Sequence, residues 1–285
     1  MDILHTLLHS LEHPITETLT MAPVLFLAYL FMEWLEHTGN TKLTGLVSRS
    51  RRFGPLLGSV LGLIPQCGFS GAIAGMYAAG TVTMGTLLAV ILSTSDEMLP
   101  IMLSARISIW LIVFILVLKF VVGLLVGTTA DAILKRNHAE EGEHIHEFCE
   151  QEHCSCKDGV WLSALKHTVK ILVIIYLVSA LLHFVIELIP IDIIKTVLNF
   201  PVVSQIIASL AGLIPSCAVS VTLTQLYIDG ALGFGPMLCG LLTNGGVGLL
   251  VLYRVNHNKK ANLLITALIF ISGLIFGSIA GLFIQ

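Results

Sequence analysis

The chain has 285 residues, 55% of them hydrophobic and only 12% charged, with a formal net charge of −3 and a mean hydropathy of +0.91. Soluble domains carry roughly 25% charged residues, so this little charge could not cover the surface of a soluble protein. The net charge itself says little, because the charges sit in loops.

Before Lys42 there is no Lys or Arg, so residues 1–19 lack the basic start of a signal peptide. His5, His9 and His13 recur at i, i+4 and i+8 and share one helical face. That pattern predicts an amphipathic helix lying in the interface, with a metal-collecting face as the sharper alternative. A spanning helix needs about 20 mostly apolar residues. Runs that meet or approach this lie at about 20–37, 54–80, 84–105, 107–128, 168–190, 201–228, 232–253 and 262–284. An all-α integral membrane protein follows.

The first run ends in Glu33-Trp34-Leu35-Glu36-His37. Glu33 and His37 share a helix face and offer a carboxylate and an imidazole together, a pairing that suits a proton relay or gate, or a helix end at headgroup level. The run 54–80 is interrupted by Pro65, followed by Cys67. Proline removes a helical hydrogen bond, and broken backbone in lipid is tolerated only where it faces protein or a cavity. The run 84–105 contains Ser93-Thr94-Ser95-Asp96-Glu97. Acids in mid-membrane mark ion or substrate paths by default, although Asp96 could instead cap a broken half-helix.

Residues 129–167 form a polar linker carrying His138, His144, His146, Cys149, His153, Cys154 and Cys156 among several glutamates. Such tracts bind transition metals loosely. They lack the C-x-x-C spacing of a structural zinc site.

The second half repeats the first. Gly62-Leu63-Ile64-Pro65-Gln66-Cys67 returns 150 residues later as Gly212-Leu213-Ile214-Pro215-Ser216-Cys217. At the same offset Ser70 meets Ser220, Tyr77 meets Tyr227, Gly80 meets Gly230 and Gly85 meets Gly235. Apolar composition alone would match Leu, Ile and Val, not Pro, Cys, Tyr and Gly in order, so this is an internal duplication. The twin of the acidic break is Thr243-Asn244-Gly245-Gly246, polar but uncharged. Glu33 and His37 meet His183 and Glu187.

Loop charge predicts that the halves are inverted. Lys42, Arg49, Arg51 and Arg52 follow the first run, whereas the equivalent loop near 189–200 holds Lys195. The loop at Arg106 is weakly basic, whereas its twin holds Arg254, Lys259 and Lys260. Basic residues favour the cytoplasmic side, so equivalent loops face opposite ways, as in transporters with inverted repeats. An odd number of crossings per half then requires 54–80 and 201–228 to be helical hairpins or re-entrant pairs. That makes about 8–10 membrane elements, with both termini outside and the linker in the cytoplasm. Cys67 and Cys217 should then meet near the bilayer midplane, where soft thiolates suit thiophilic metals and metalloids. A lone buried Cys is otherwise a small hydrophobe.

With the duplicated Gly-Leu-Ile-Pro-x-Cys, the Ser93–Glu97 segment with Pro100, Thr243–Gly246 and the His/Glu/Cys linker, nearly the whole chain resembles the ten-span heavy-metal exporters, often labelled manganese transporters. It is more distantly similar to the organoarsenical permeases. The resemblance implies export of a divalent metal or metalloid.

The expected organisation is an amphipathic helix at 1–19, a first transmembrane repeat at 20–128, a linker at 129–167 and a second repeat at 168–285. The expected function is a multi-pass, secondary-active exporter of a divalent, manganese- or zinc-like ion in a bacterial inner membrane, coupled to protons through Glu33, Glu36, His37, His183 and Glu187. Asp96, Glu97, Ser93, Thr94, Thr243, Asn244, Cys67 and Cys217 would contact the ion around breaks at Pro65, Pro215, Gly245 and Gly246. No catalytic residue, resident cofactor or nucleic-acid partner is expected. The partners are the bilayer and a small inorganic ion, with a homodimer as a further expectation. Two alternatives are a thiol-dependent permease for arsenicals and a metal-gated channel or sensor worked by the linker. No P-loop is present, so ATP does not drive transport within this chain.

Overall fold

The computed structural model describes residues 53–64, 68–95, 98–134 and 201–283, with scattered helical positions between 19 and 30 and between 161 and 177. Within the continuous stretches the chain is helical: α1 (Gly54–Gly62), α2 (Gly68–Ala78), α3 (Met84–Ser93), α4 (Met98–Ser104), α5 (Ile109–Leu134), α6 (Pro201–Gly212), α7 (Cys217–Ile228), α8 (Phe234–Thr243), α9 (Gly246–Val255) and α10 (Lys259–Phe283). Each of α1–α5 has its counterpart in α6–α10 at the 150-residue offset, so the duplication is one of structure as well as sequence.

The turns repeat as well. α2 closes with Gly80 N–H donating to Tyr77 and Thr81 N–H donating to Met76. α7 closes with Gly230 on Tyr227 and Ala231 on Leu226. Both are Schellman caps, and they require the left-handed glycines found there, Gly80 at φ 72° and Gly230 at φ 70°.

Contacts at the glycines fix the helix directions. Gly54 lies against Thr86, Gly58 against Ala89 and Val90, and Gly62 against Ser93, so α1 runs parallel to α3. The short turn at 79–83 then forces α2 to run back, making α1–α2 a helical hairpin whose tip, at Leu63 and Ile64, is level with the end of α3. α5 runs antiparallel to α3, with Gly127 against Gly85 and Gly123 against Ser93. The second half repeats this: Gly212 lies against Thr243, Gly277 against Cys239 and Gly281 against Gly235. Glycines spaced by four on α5 and α10 allow this close approach, the small-residue packing common between membrane helices.

At 1.5 Å per residue, α5 spans about 39 Å and α3 about 15 Å. The hairpin tip and the end of α3 therefore lie near the middle of α5. The apolar run ends near 128, yet α5 continues to Leu134 because Asp131 is held there. Its Oδ2 accepts from Thr83 Oγ1 at 2.7 Å and its Oδ1 from Gly85 N–H at 2.8 Å.

Among the described residues four helical segments are long and apolar enough to cross a membrane: Met84–Ser104, Ile109–Ile133, Phe234–Val255 and Lys259–Phe283. The first and third are broken, α3 into α4 and α8 into α9. These broken spans are 75% and 89% buried, against 33% for each of the other two. The unbroken helices thus form the wall and the broken ones the interior, where irregular backbone can be satisfied by protein.

The halves meet reciprocally: α2 packs along α9, α7 packs on α4, and α3 meets α8. Such exchanged contacts are the mark of a two-fold relation.

Candidate functional site

The site lies where the broken helices end. α3 stops at Ser93, and its last turn is closed by hydroxyls. Ser93 Oγ donates to Ala89 O at 2.7 Å, and Thr94 Oγ1 donates to Val90 O at 2.6 Å. Ser and Thr bonded in this way compete with the helical ladder. Ser95 then ties the break to the hairpin, its N–H donating to Gly62 O at 3.2 Å and its Oγ to Leu63 O at 2.8 Å.

In the second half Thr243 Oγ1 donates to Cys239 O at 3.0 Å. Asn244 Oδ1 accepts from Gly246 N–H at 3.0 Å, with Gly246 in a left-handed conformation at φ 46°. Pro215 lies in the α6–α7 break, and Ser216 caps α7 by accepting Ala218 N–H at 3.2 Å.

Ser93, Thr94, Ser95, Thr243 and Asn244 are all buried. The hydroxyls have committed their protons to backbone carbonyls, but each oxygen keeps lone pairs that can face a cation. Helix C-termini add carbonyls without intrahelical partners and a partial negative charge. A cluster of this kind favours a hard cation over an anion.

The structure thus brings Ser93, Thr94, Thr243, Asn244, Pro215, Gly245 and Gly246 to helix breaks at one depth. Pro65, Cys67, Asp96, Glu97, Glu33, Glu36, His37, His183, Glu187, the Cys217 side chain and the linker positions His138, His144, His146, Cys149, His153, Cys154 and Cys156 lie outside the described residues. Among the described residues no three His, Cys, Asp or Glu side chains gather. What the described part offers an ion is hydroxyl, amide and carbonyl oxygen.

Sequence reasoning missed Lys119. It lies one turn from Gly123 on the face of α5 that packs on Ser93, and its Nζ donates across the halves to Leu241 O at 2.8 Å. Its signal was present, since an ionisable residue within an apolar run warrants a functional reading. Because Lys119 stands beside the end of α3 and reaches the end of α8, the two breaks lie within one side chain of each other. Also missed were Asp131 and the buried Cys239, whose thiol lies 3.7 Å from Leu274 O.

No curated protein and no solved structure matches the chain. A family model does match, over residues 5–203, and its description reads "Putative, 10TM heavy-metal exporter". The matched region takes in the first repeat, the linker and the start of the second. With its apolar interior spans, helix breaks and duplicated architecture, this multi-pass membrane protein belongs to that family of ten-span heavy-metal exporters.

Proposed function

We propose that the chain is a secondary-active transporter that exports a divalent heavy-metal ion from the cytoplasm across a bacterial inner membrane, through the midplane site at the ends of α3 and α8. The observation that carries this reading is the pair of broken, interior spans whose C-terminal ends, lined by Ser93, Thr94, Thr243 and Asn244, lie within reach of one side chain. Discontinuous helices at matching positions in two halves are the usual setting of a transport site. Asp96 and Glu97, which directly follow Ser95 in the sequence, would supply the charge for a manganese-like ion. Glu33, His37, His183 and Glu187 would carry the coupled protons.

We further infer that the halves are inverted. α2 runs from the break back to the side where α3 begins, and it packs along α9, which runs from its own break onward. α8–α9 must therefore travel opposite to α3–α4. Among the described residues, that arrangement groups Arg254, Lys259 and Lys260 on one side and Arg106 on the other. The positive-inside rule makes the richer side cytoplasmic. Each hairpin then enters and leaves on the same side.

The test is a transport panel of Mn²⁺, Zn²⁺, Cd²⁺ and arsenite in everted membrane vesicles. Saturable uptake of a divalent ion is expected. Uptake of arsenite alone, lost when Cys67 and Cys217 become Ser, would replace this reading with a thiol-dependent permease.

A further inference from the structure

Lys119 lies in the middle of a wall helix, yet its side chain is 1% exposed. Its Nζ donates to Leu241 O at 2.8 Å. Leu241 belongs to the last turn of α8, and the chain leaves the helix at Asn244, so this carbonyl has lost the helical N–H it would otherwise accept. The end of a helix carries partial negative charge, and an ammonium is its matched partner.

The duplication supplies an internal control. At the 150-residue offset the twin of Lys119 is Ile269, and the twin of Leu241 is Ile91. Ile269 and Ile91 are both fully buried. α10 therefore brings no positive charge to the end of α3. There the Ile91 carbonyl accepts the long 3.3 Å bond from Thr94 N–H. The two breaks match in backbone and hydroxyl chemistry, Ser93 against Thr243, but differ in the contact made across the halves: the Lys119 ammonium bonds the Leu241 carbonyl of α8, and its twin Ile269 brings α3 no such donor.

We propose that Lys119 is a tethered cation: it fills, at the end of α8, the position that the cargo ion takes at the end of α3. The duplicated fold thereby carries one cargo site rather than two. The proposal rests on the cation-export reading given above. Charges this close in a medium of low dielectric interact strongly, so two mobile divalent ions at neighbouring breaks would repel each other. A fixed single charge at one break halves that repulsion at a given distance, cannot be exchanged for a second ion, and satisfies the α8 carbonyl whether or not cargo is bound. A second oxygen-lined position opens only when the ammonium is removed, and it takes a hard cation.

The experiment uses the purified full-length protein in detergent. Mn²⁺ binding is measured by equilibrium dialysis with elemental analysis, and thermal unfolding is measured in sodium chloride and in N-methylglucamine chloride. The wild type is expected to hold one Mn²⁺ per chain and Lys119→Met two. The Met variant should have a lower Tm that Mn²⁺ or sodium raises towards the wild-type value. Ile269→Lys, which places an ammonium at the twin position, should weaken Mn²⁺ binding at least tenfold. Lys119→Gln keeps a donor for Leu241 without the charge and takes the place of Lys119→Met if the latter does not fold. A charge-neutral variant that still holds one Mn²⁺, with a Tm indifferent to sodium and Mn²⁺, would reduce Lys119 to a helix cap and overturn the proposal. So would unchanged Mn²⁺ affinity in Ile269→Lys. If the wild type itself binds neither Mn²⁺ nor any other divalent ion, the export reading falls. A sodium-dependent gain in Tm confined to Lys119→Gln would still support the tethered cation, and its absence would sink it.

Discussion

Ser70 of α2 and Gly248 of α9 touch across the two halves: a Cβ built on Gly248 would stand 2.8 Å from the Ser70 Cβ and 3.0 Å from its carbonyl oxygen. One of the opposing atoms is backbone, so no rotamer change can relieve the contact. Gly248→Val should force α2 away from α9 and cost about 1–3 kcal/mol, the usual penalty for overpacking, with Gly248→Ala intermediate. Thermal unfolding in detergent measures it. An unchanged Tm in the Val variant would mean that this contact does not hold the halves together.

Gly62 and Gly212 make equivalent crossings at the two breaks. A Cβ on Gly62 would collide with Ser93 Oγ and come within 2.6 Å of Val90 O, and one on Gly212 would collide with Thr243 Oγ1 and Gly240 O. Alanine at either position should lift the hairpin tip off the broken helix and reduce vesicle uptake at least tenfold in protein that still inserts. Adding Ser93→Ala to Gly62→Ala should not restore transport, because the Val90 carbonyl remains in the way. Recovery in the double variant would show that side-chain crowding alone is at fault.

Asp131 holds the start of α3 through Thr83 and the Gly85 amide. A carboxylate bonded at a helix N-terminus acts as a cap, so Asp131→Ala should cost about 1–2 kcal/mol. Asp131→Asn keeps one acceptor and should lose less. The comparison is of unfolding midpoints, and equal losses in Ala and Asn would place the effect in the charge rather than in the cap.

Asp96→Asn separates a cargo ligand from a cap. Asparagine caps a helix about as well as aspartate, so a structural role predicts normal transport. The export reading predicts loss of divalent-metal uptake with expression and insertion intact, read in the same vesicles.

The inverted arrangement predicts that cysteines introduced near residue 195 and the native linker thiols at 149–156 label from opposite sides of the membrane. Impermeant maleimide applied to right-side-out and everted vesicles decides it. Labelling of both from one side would remove the inversion and with it the cytoplasmic assignment of the linker.

Much of this architecture was legible in the sequence because its strongest signals are local. Pro215 in the α6–α7 break, the paired glycines of the caps and the fixed offset all write themselves into residue order. The hairpin was legible too, since a run broken in the middle cannot cross as a simple helix. Lys119 was not. A single lysine in an otherwise apolar run looks like an interruption until its partner is known, and that partner, Leu241, lies 122 residues away on a helix end that only the fold reveals. Asp131 escaped notice for a similar reason: it follows the apolar run and reads as the first charged residue of the linker, yet it belongs to the packing of α3. The sequence also could not show which proton each hydroxyl commits. Ser93, Thr94 and Thr243 first close the ends of their own helices, and they face an ion only with what is left.

Lys119 and Ile269 occupy one position in two copies of the same unit. Had the copies remained separate, identical polypeptides, a substitution to lysine in one would have appeared in the other. Two ammonium groups would then have met where the units join, in a medium that screens them poorly. Joining the copies end to end lifts that restriction. A substitution now enters one copy and leaves its sibling untouched, so an odd number of charges can settle on a two-fold scaffold. The 150-residue offset therefore does more than record an ancestral doubling: covalent linkage is what lets a near-symmetric shell hold a lysine in one half where the other half has isoleucine.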